Sequence, residues 1–280
     1  MPSIVLSLSC PDRPGIVHSV TGLLVDHGGN ITESQQYGDP DTGRFFLRIE
    51  ADIPGSIDEL RVPVDELAAT LEGTIDLTES GRPIKTIIMA STTSHCLTDL
   101  LYLQRMGRLA IDVTRVVSNH DTLRPIAEFY GVPYTHIPFS KDRRDEAEAE
   151  LLQIVEETGA ELIVLARYMQ VLSPELCERM AGSIINIHHS FLPSFKGARP
   201  YQQAHDRGVK IIGATAHYVT QDLDEGQIIE QDVERVTHGH TAADLQAIGE
   251  DVERRVLARA VQWHAEGRVL RNGERTVVLP

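Results

Sequence analysis

The sequence predicts an α/β protein in two parts, and three observations predict it. The first eighty residues carry patterns in the order strand, helix, strand, strand, helix, strand. From residue 84 onward short β-rich runs alternate with helical stretches. Between the two lies SGRPIK, 80–85, a polar Gly/Pro junction. The boundary is set there, giving a small domain over 1–82 and a larger one over 83–280.

In the first part, SIVLSLS alternates as a strand does and ends at the turn CPDRPG. Ile16, Val20, Leu23, Leu24 and His27 then recur at helical spacing, with Gly28-Gly29 as the stop. NITESQQYGD and GRFFLRIEAD read as two strands joined by the turn DPDTG. A second helical stretch, SIDELRVPVDELAATLEG, is interrupted by Pro63. Because an interior proline costs about 3 kcal/mol, a break is expected near Val62, with the better helix over Val64 to Leu71. GTIDLTES supplies a last strand, completing βαββαβ, the order of a ferredoxin-like domain.

In the second part, KTIIMAS, DVTRVVSN, YTHIPF, ELIVLA and SIINIH are the strand candidates, with helices expected at 94–107, 121–130, 143–158 and 173–180. Such alternation implies a mostly parallel sheet covered by helices on both faces. IIGATAHYV and GQIIEQDVERV, flanking TQDLDE, read as an antiparallel pair; a long helix over 241–266 follows, and RTVVLP ends the chain as a strand.

Composition narrows the function. A net charge of −15 argues against a nucleic-acid track or an anionic membrane surface. No apolar run approaches the length of a membrane span, and the N-terminus lacks the basic region and cleavage site of a signal peptide. Cys10, Cys96 and Cys177 are isolated, which points away from disulfides and toward a reducing cytoplasm. Twelve histidines are scattered without an H-E-x-x-H or H-x-x-x-H pattern, so no metal site is expected.

Open α/β sheets bind ligands beyond the carboxyl ends of their strands. SIINIH brings Asn186 and His188 to such an end, two residues apart and therefore on one strand face, with Ile187 turned away. The acid loop TQDLDEGQ holds Asp222, Asp224 and Glu225. A histidine at a strand end and an acidic turn are each commonplace. Brought together, a carboxylate, an imidazole and an asparagine amide make a proton-transfer and oxyanion-stabilising site. No serine or cysteine stands in a nucleophile-elbow setting, so the attacking group is water or the amine of a second substrate.

NIHHSFLP at 186–193 followed by HYVTQDLDEGQII resembles the folate-dependent formyltransferase family over about 84–270, as does VLARYMQVLSPEL at 164–176. DRPGIV at 12–17 resembles the ligand-side turn of an ACT regulatory domain. The implied fold is thus an ACT domain ahead of a Rossmann-like formyltransferase domain, the arrangement of the formyltetrahydrofolate deformylases. His189 after the catalytic histidine and FKGARPYQQA at 195–204 resemble that branch. ASTTSHCLTDLL at 90–101 has no glycine where amine-formylating relatives carry a Gly-rich phosphate loop, which favours water as acceptor.

The resemblance implies hydrolysis of 10-formyltetrahydrofolate to formate and tetrahydrofolate, supplying formate for purine synthesis and balancing the folate pool. The folate is substrate and no cofactor is implied. Asn186 and protonated His188 would stabilise the oxyanion and Asp224 assist proton transfer; Met169, Gln170, Val171 and Leu172 would hold the pterin. Arg199, or Lys196, would meet the substrate's glutamate tail; His189 would bear on acceptor choice, and His217 would either line the site or serve packing. An amino-acid effector would lie near Asp12, Gly15 and Asn30 in a homo-oligomer, with a purely structural first domain as the other reading. The alternative functions are formyl transfer to an amine of a sugar or nucleotide, and a non-catalytic amino-acid sensor.

Overall fold

The computed structural model describes residues 2–192 and 200–280. The chain divides into two units, Met1–Arg82 with Trp263–Pro280, and Pro83–Gln262.

In the first unit β1 (Ser3–Pro11), β2 (Asn30–Asp39), β3 (Arg44–Asp52) and β4 (Thr74–Glu79) form an antiparallel sheet in the order β2-β3-β1-β4. Helices α1 (Ile16–Asp26) and α2 (Ile57–Thr70) pack on one face. Alternation along β1 sends Ile4, Leu6, Leu8 and Cys10 into that core, where they meet Ile16, Val20 and Leu24 of α1 and Leu60 and Val64 of α2.

Two expectations change here. Helix α2 runs unbroken through Pro63. Leu60, Val64, Leu67 and Leu71 form one apolar stripe across the proline and pack into the same core, so burial on both sides keeps the halves in line. The last eighteen residues, read as part of the second domain, group with the first unit. There β12 (Val269–Asn272) and β13 (Arg275–Val278) make a hairpin, of which only the second strand was expected. Leu270 and Leu279 pack on Phe46, the Ser7 hydroxyl donates to Gly267 O at 2.8 Å, and Arg48 Nε donates to Glu266 O at 3.0 Å. Ser7 and Arg48, polar residues on that face of the sheet, are thereby buried.

The second unit is built on a seven-stranded sheet in the order β11-β10-β9-β8-β5-β6-β7. Strands β5 (Ile84–Ala90), β6 (Ile111–Ser118), β7 (Tyr134–His136), β8 (Leu162–Leu165) and β9 (Ile184–His188) run parallel. β10 (Ile211–Tyr218) and β11 (Ile228–Arg235) add antiparallel at one edge. The connecting helices are α3 (His95–Arg105), α4 (Arg124–Tyr130), α5 (Arg144–Thr158) and α6 (Pro174–Arg179). Pro200–Arg207, for which no helix was expected, forms α7, with proline at its first position, where a missing N–H is harmless. The long helix α8 covers Ala242–Ala265. Among the described residues no helix is long and apolar enough to cross a membrane.

Candidate active site

Strand β9 ends at His188, and its pleat places Asn186 and His188 on one face while Ile187, 3 % exposed, enters the core. The antiparallel neighbour β10 then aligns His217 directly with Asn186 and Thr215 with His188. Thr215 holds the chain as it leaves β9: its hydroxyl donates to Ser190 O at 2.9 Å and accepts from Leu192 N at 3.1 Å.

The loop from β10 to β11 brings Asp224 back over this face. Its Oδ1 lies 3.3 Å from His188 Nδ1 and 3.8 Å from His217 Nε2. Gly226 permits the return, because a Cβ there would lie 1.8 Å from Tyr218 O. Asp224 itself has φ 59, in the left-handed region that aspartate and asparagine tolerate better than most residues. The hydrogen bond from His188, aided by the nearby histidines, outweighs burial and holds the Asp224 carboxyl below its usual range.

His217 is neutral, since burial lowers its pKa. With Nδ1–H donating to Tyr218 O at 2.8 Å, Nε2 is left as an acceptor and takes an N–H of Asn186 Nδ2 at 3.2 Å. Among the described residues the second N–H of Asn186 has no partner and can meet a ligand. His188 Nε2 likewise has no hydrogen-bond partner among the described residues. Two donors on one strand face, beside a carboxylate held ionised, can bind a developing oxyanion and move a proton.

These groups line a cleft of about 250 Å³ whose other wall is the segment after β8. Met169, Gln170, Val171 and Leu172 all face it. Met169 and Val171 are 59 % and 48 % exposed, so they are not core residues, whereas Leu172 also packs in the core. The segment is tied down at both ends. Ser91 Oγ accepts from Met169 N at 3.0 Å, and Glu148, buried, accepts from Ser173 N at 2.7 Å and from the Ser173 hydroxyl.

His189 also lines the cleft; its ring stacks on that of His188 with centroids 4.8 Å apart. Burial, followed by the neighbouring Arg167, pushes its pKa down to about 4. Arg199 and Lys196 lie outside the described residues.

In the first unit, Asp12 lies in the turn after β1 and Gly15, φ 94, caps α1. Asn30 opens β2 at the far end of the sheet, for it pairs with Asp52, which also pairs with Ser3, the start of β1. Eight residues of strand, roughly 26 Å, separate the ends, so one chain does not gather all three.

Sequence reading missed Arg167 and its surroundings. Arg167 lies two residues beyond β8 and lines the cleft with φ 64, a backbone region that costs a non-glycine residue about 1–2 kcal/mol. Its position just beyond a parallel strand's carboxyl end was the available signal. Glu253, His95 and Tyr201 cluster beside it, drawn from α8, α3 and α7. Donor atoms of His95, Cys96 and Glu253 lie within 4.8 Å of one another. They fit a metal poorly, because Glu253 is already bonded to His95 and burial pushes the Cys96 thiol well away from thiolate.

The family model for formyl transferase matches residues 84–261, and that for the ACT domain matches residues 4–61. Formyltetrahydrofolate deformylase from Corynebacterium sp. (strain P-1) is 52% identical over 278 residues, 98% of this chain and 97% of its own. The protein of that name from Bacillus subtilis is 47% identical over 277 residues, 98% of this chain and 92% of its own. Among solved structures, formyltetrahydrofolate deformylase from Burkholderia mallei matches with a TM-score of 0.96 at 47% identity, covering 100% of both chains.

Proposed function

The chain belongs to the formyltetrahydrofolate deformylase family, and on that premise we propose that it hydrolyses 10-formyltetrahydrofolate to formate and tetrahydrofolate. The observation that carries the reading is the convergence of Asn186, His188 and Asp224 on one cleft, opposite the exposed apolar residues Met169 and Val171. A flat pterin ring is the kind of group such a wall accepts, with backbone N–H and C=O groups of 169–172 as its polar partners.

In the proposed mechanism the formyl oxygen lies between the free N–H of Asn186 and Nε2–H of protonated His188. Asp224, 3.3 Å from His188 Nδ1, holds the ring in place and orients the water. The water oxygen bonds to the formyl carbon, a proton passes to Asp224, and the carbonyl π electrons move onto the oxygen held by the two donors. The oxyanion electrons then re-form the carbonyl as the carbon–nitrogen bond breaks, the departing nitrogen takes the proton from the His188–Asp224 pair, and formic acid leaves, giving formate and one proton to solvent. Atoms and charge balance with water alone, so the reading requires no resident cofactor. The formate is then available for purine synthesis, and the folate pool is rebalanced.

For the ACT unit we propose an amino-acid effector. Since Asp12 and Gly15 lie far from Asn30, a ligand touching all three would sit between Asp12 and Gly15 of one copy and Asn30 of another, in keeping with a homo-oligomer. Three free, buried cysteines support a reducing cytoplasm as the setting.

The test is release of free formate from 10-formyltetrahydrofolate with no acceptor present, with tetrahydrofolate formed one for one. Formate appearing only when an amine acceptor is added would overturn the hydrolytic reading in favour of transfer.

A further inference from the structure

Arg167 is the one Arg or Lys among the described residues lining the cleft. An arginine held in the left-handed region is retained for its side chain, since glycine would take that backbone without strain. That side chain is only 15 % exposed, and its Nε lies 3.4 Å from Glu253 Oε2. The carboxylate of Glu253, 1 % exposed, bonds His95 Nε2 at 2.8 Å through the same oxygen. Its other oxygen accepts from the Tyr201 hydroxyl at 2.6 Å.

The helix is built to allow this. Gly249 stands one turn before Glu253 on α8, and a Cβ there would lie 2.1 Å from the Tyr201 hydroxyl oxygen. Burial pushes the Glu253 carboxyl up, but His95, Arg167 and Tyr201 together outweigh it and hold the carboxyl below its usual range. Glu253 is therefore an ion, and it neutralises Arg167.

The remaining charge in the cleft is also compensated. His188 pairs with Asp224, while His189 is neutral with its pKa near 4. Among the described residues no uncompensated cation lines the cleft. An anion leaving water for such a place would lose its solvation and gain no opposite charge from the described residues.

We infer that Glu253 determines acceptor specificity: by engaging Arg167 and His95 it denies the cleft to phosphorylated acceptors and leaves the formyl carbon to water. The inference rests on the hydrolytic reading and supplies a physical reason for it beyond the glycine-free turn at 91–94. It makes Glu253 a positioning residue, acting through Arg167 and His95 and not on the reacting atoms.

Inorganic phosphate is the probe, added at constant ionic strength while formate release is followed. The native protein should be insensitive. Glu253→Gln keeps the size and an acceptor for Tyr201 but frees the charge of Arg167, and should bind phosphate at least about tenfold more tightly, a gain of roughly 1.4 kcal/mol. This is read as inhibition and as a phosphate-dependent rise in melting temperature. Tyr201→Phe removes an uncharged donor and leaves the Glu253 carboxylate paired with Arg167 and His95, so it should stay insensitive. If Glu253→Gln does not fold, Glu253→Asp, which withdraws the carboxylate by one methylene, should show an intermediate phosphate response. Equal phosphate response in native, Gln and Asp forms overturns the inference, and so does an equal gain in Tyr201→Phe, which would mean general loosening. Failure of the native protein to release formate without an acceptor would instead sink the hydrolytic reading.

Discussion

Asp224→Asn isolates the charge of the proposed catalytic pair. The backbone at 224 has φ 59, a conformation asparagine accepts, so the loop should keep its course. Oxygen and nitrogen of the amide occupy the carboxylate's volume, and a hydrogen-bond acceptor for His188 Nδ1 survives. What disappears is the negative charge 3.3 Å from His188. Coulomb's law at that separation gives about 1.3 kcal/mol at the dielectric of water and about 5 kcal/mol at an effective dielectric of 20. Asp224 is partly buried, its side chain 16 % exposed, which places the loss between those values. At 1.36 kcal/mol per decade, the range is about tenfold to several thousandfold, and a fall of roughly 100- to 1000-fold in kcat is expected, in line with the loss of one preorganised oxyanion contact. Formate release at saturating folate measures it, with KM within a few-fold of native because the wall at 169–172 is untouched. A folded Asp224→Asn protein turning over within about fivefold of native would refute the assigned role of the charge.

Two other perturbations probe the supports of the site and the fold. Glu148→Ala leaves the Ser173 N–H without its acceptor, a penalty of about 1–3 kcal/mol; the loosened 169–172 wall should raise the folate KM about tenfold while kcat stays within about threefold. A matching fall in kcat with unchanged KM would show that the Glu148 clamp does not serve binding. In the first unit, burial pushes the Asp39 carboxyl up, but bonds from Asp41 N–H, Thr42 and Asn272, with Arg275 nearby, hold it below its usual range. A carboxyl lower in the folded than in the unfolded state stabilises the fold above the unfolded value, near 3.9, and ceases to as pH falls through the folded value. The melting-temperature gap between native and Asp39→Asn should therefore be open at pH 6 and close as pH falls below about 4; a gap independent of pH would refute the linkage.

Some of this molecule could be read one residue at a time. Strands and helices of both units announce themselves through periods of 2 and 3.6, because neighbours along the chain set those periods. The shared face of Asn186 and His188 follows from the same rule, and Ile187 is buried as the rule requires. Pro63 shows its limit: local cost predicted a break, and a stripe of three leucines and a valine packed into one core overrode it. The hairpin at 269–278 was half visible, since its covering of Phe46, Ser7 and Arg48 joins segments more than two hundred residues apart.

What the sequence determined by itself is the order of elements, the strand end that presents the two donors, and the family resemblance carried by NIHHSFLP and the acid loop. The resemblance had singled out Asp224, but only the tertiary structure decided how it reaches His188, that His217 fixes the amide of Asn186, and that the charge of Arg167 is paired with Glu253. Each of these depends on strand register or on helices from distant parts of the chain meeting at one point. Periodicity is a property of neighbours and can be read locally; the pairing of a charge is a property of position in space, and only the folded chain assigns it.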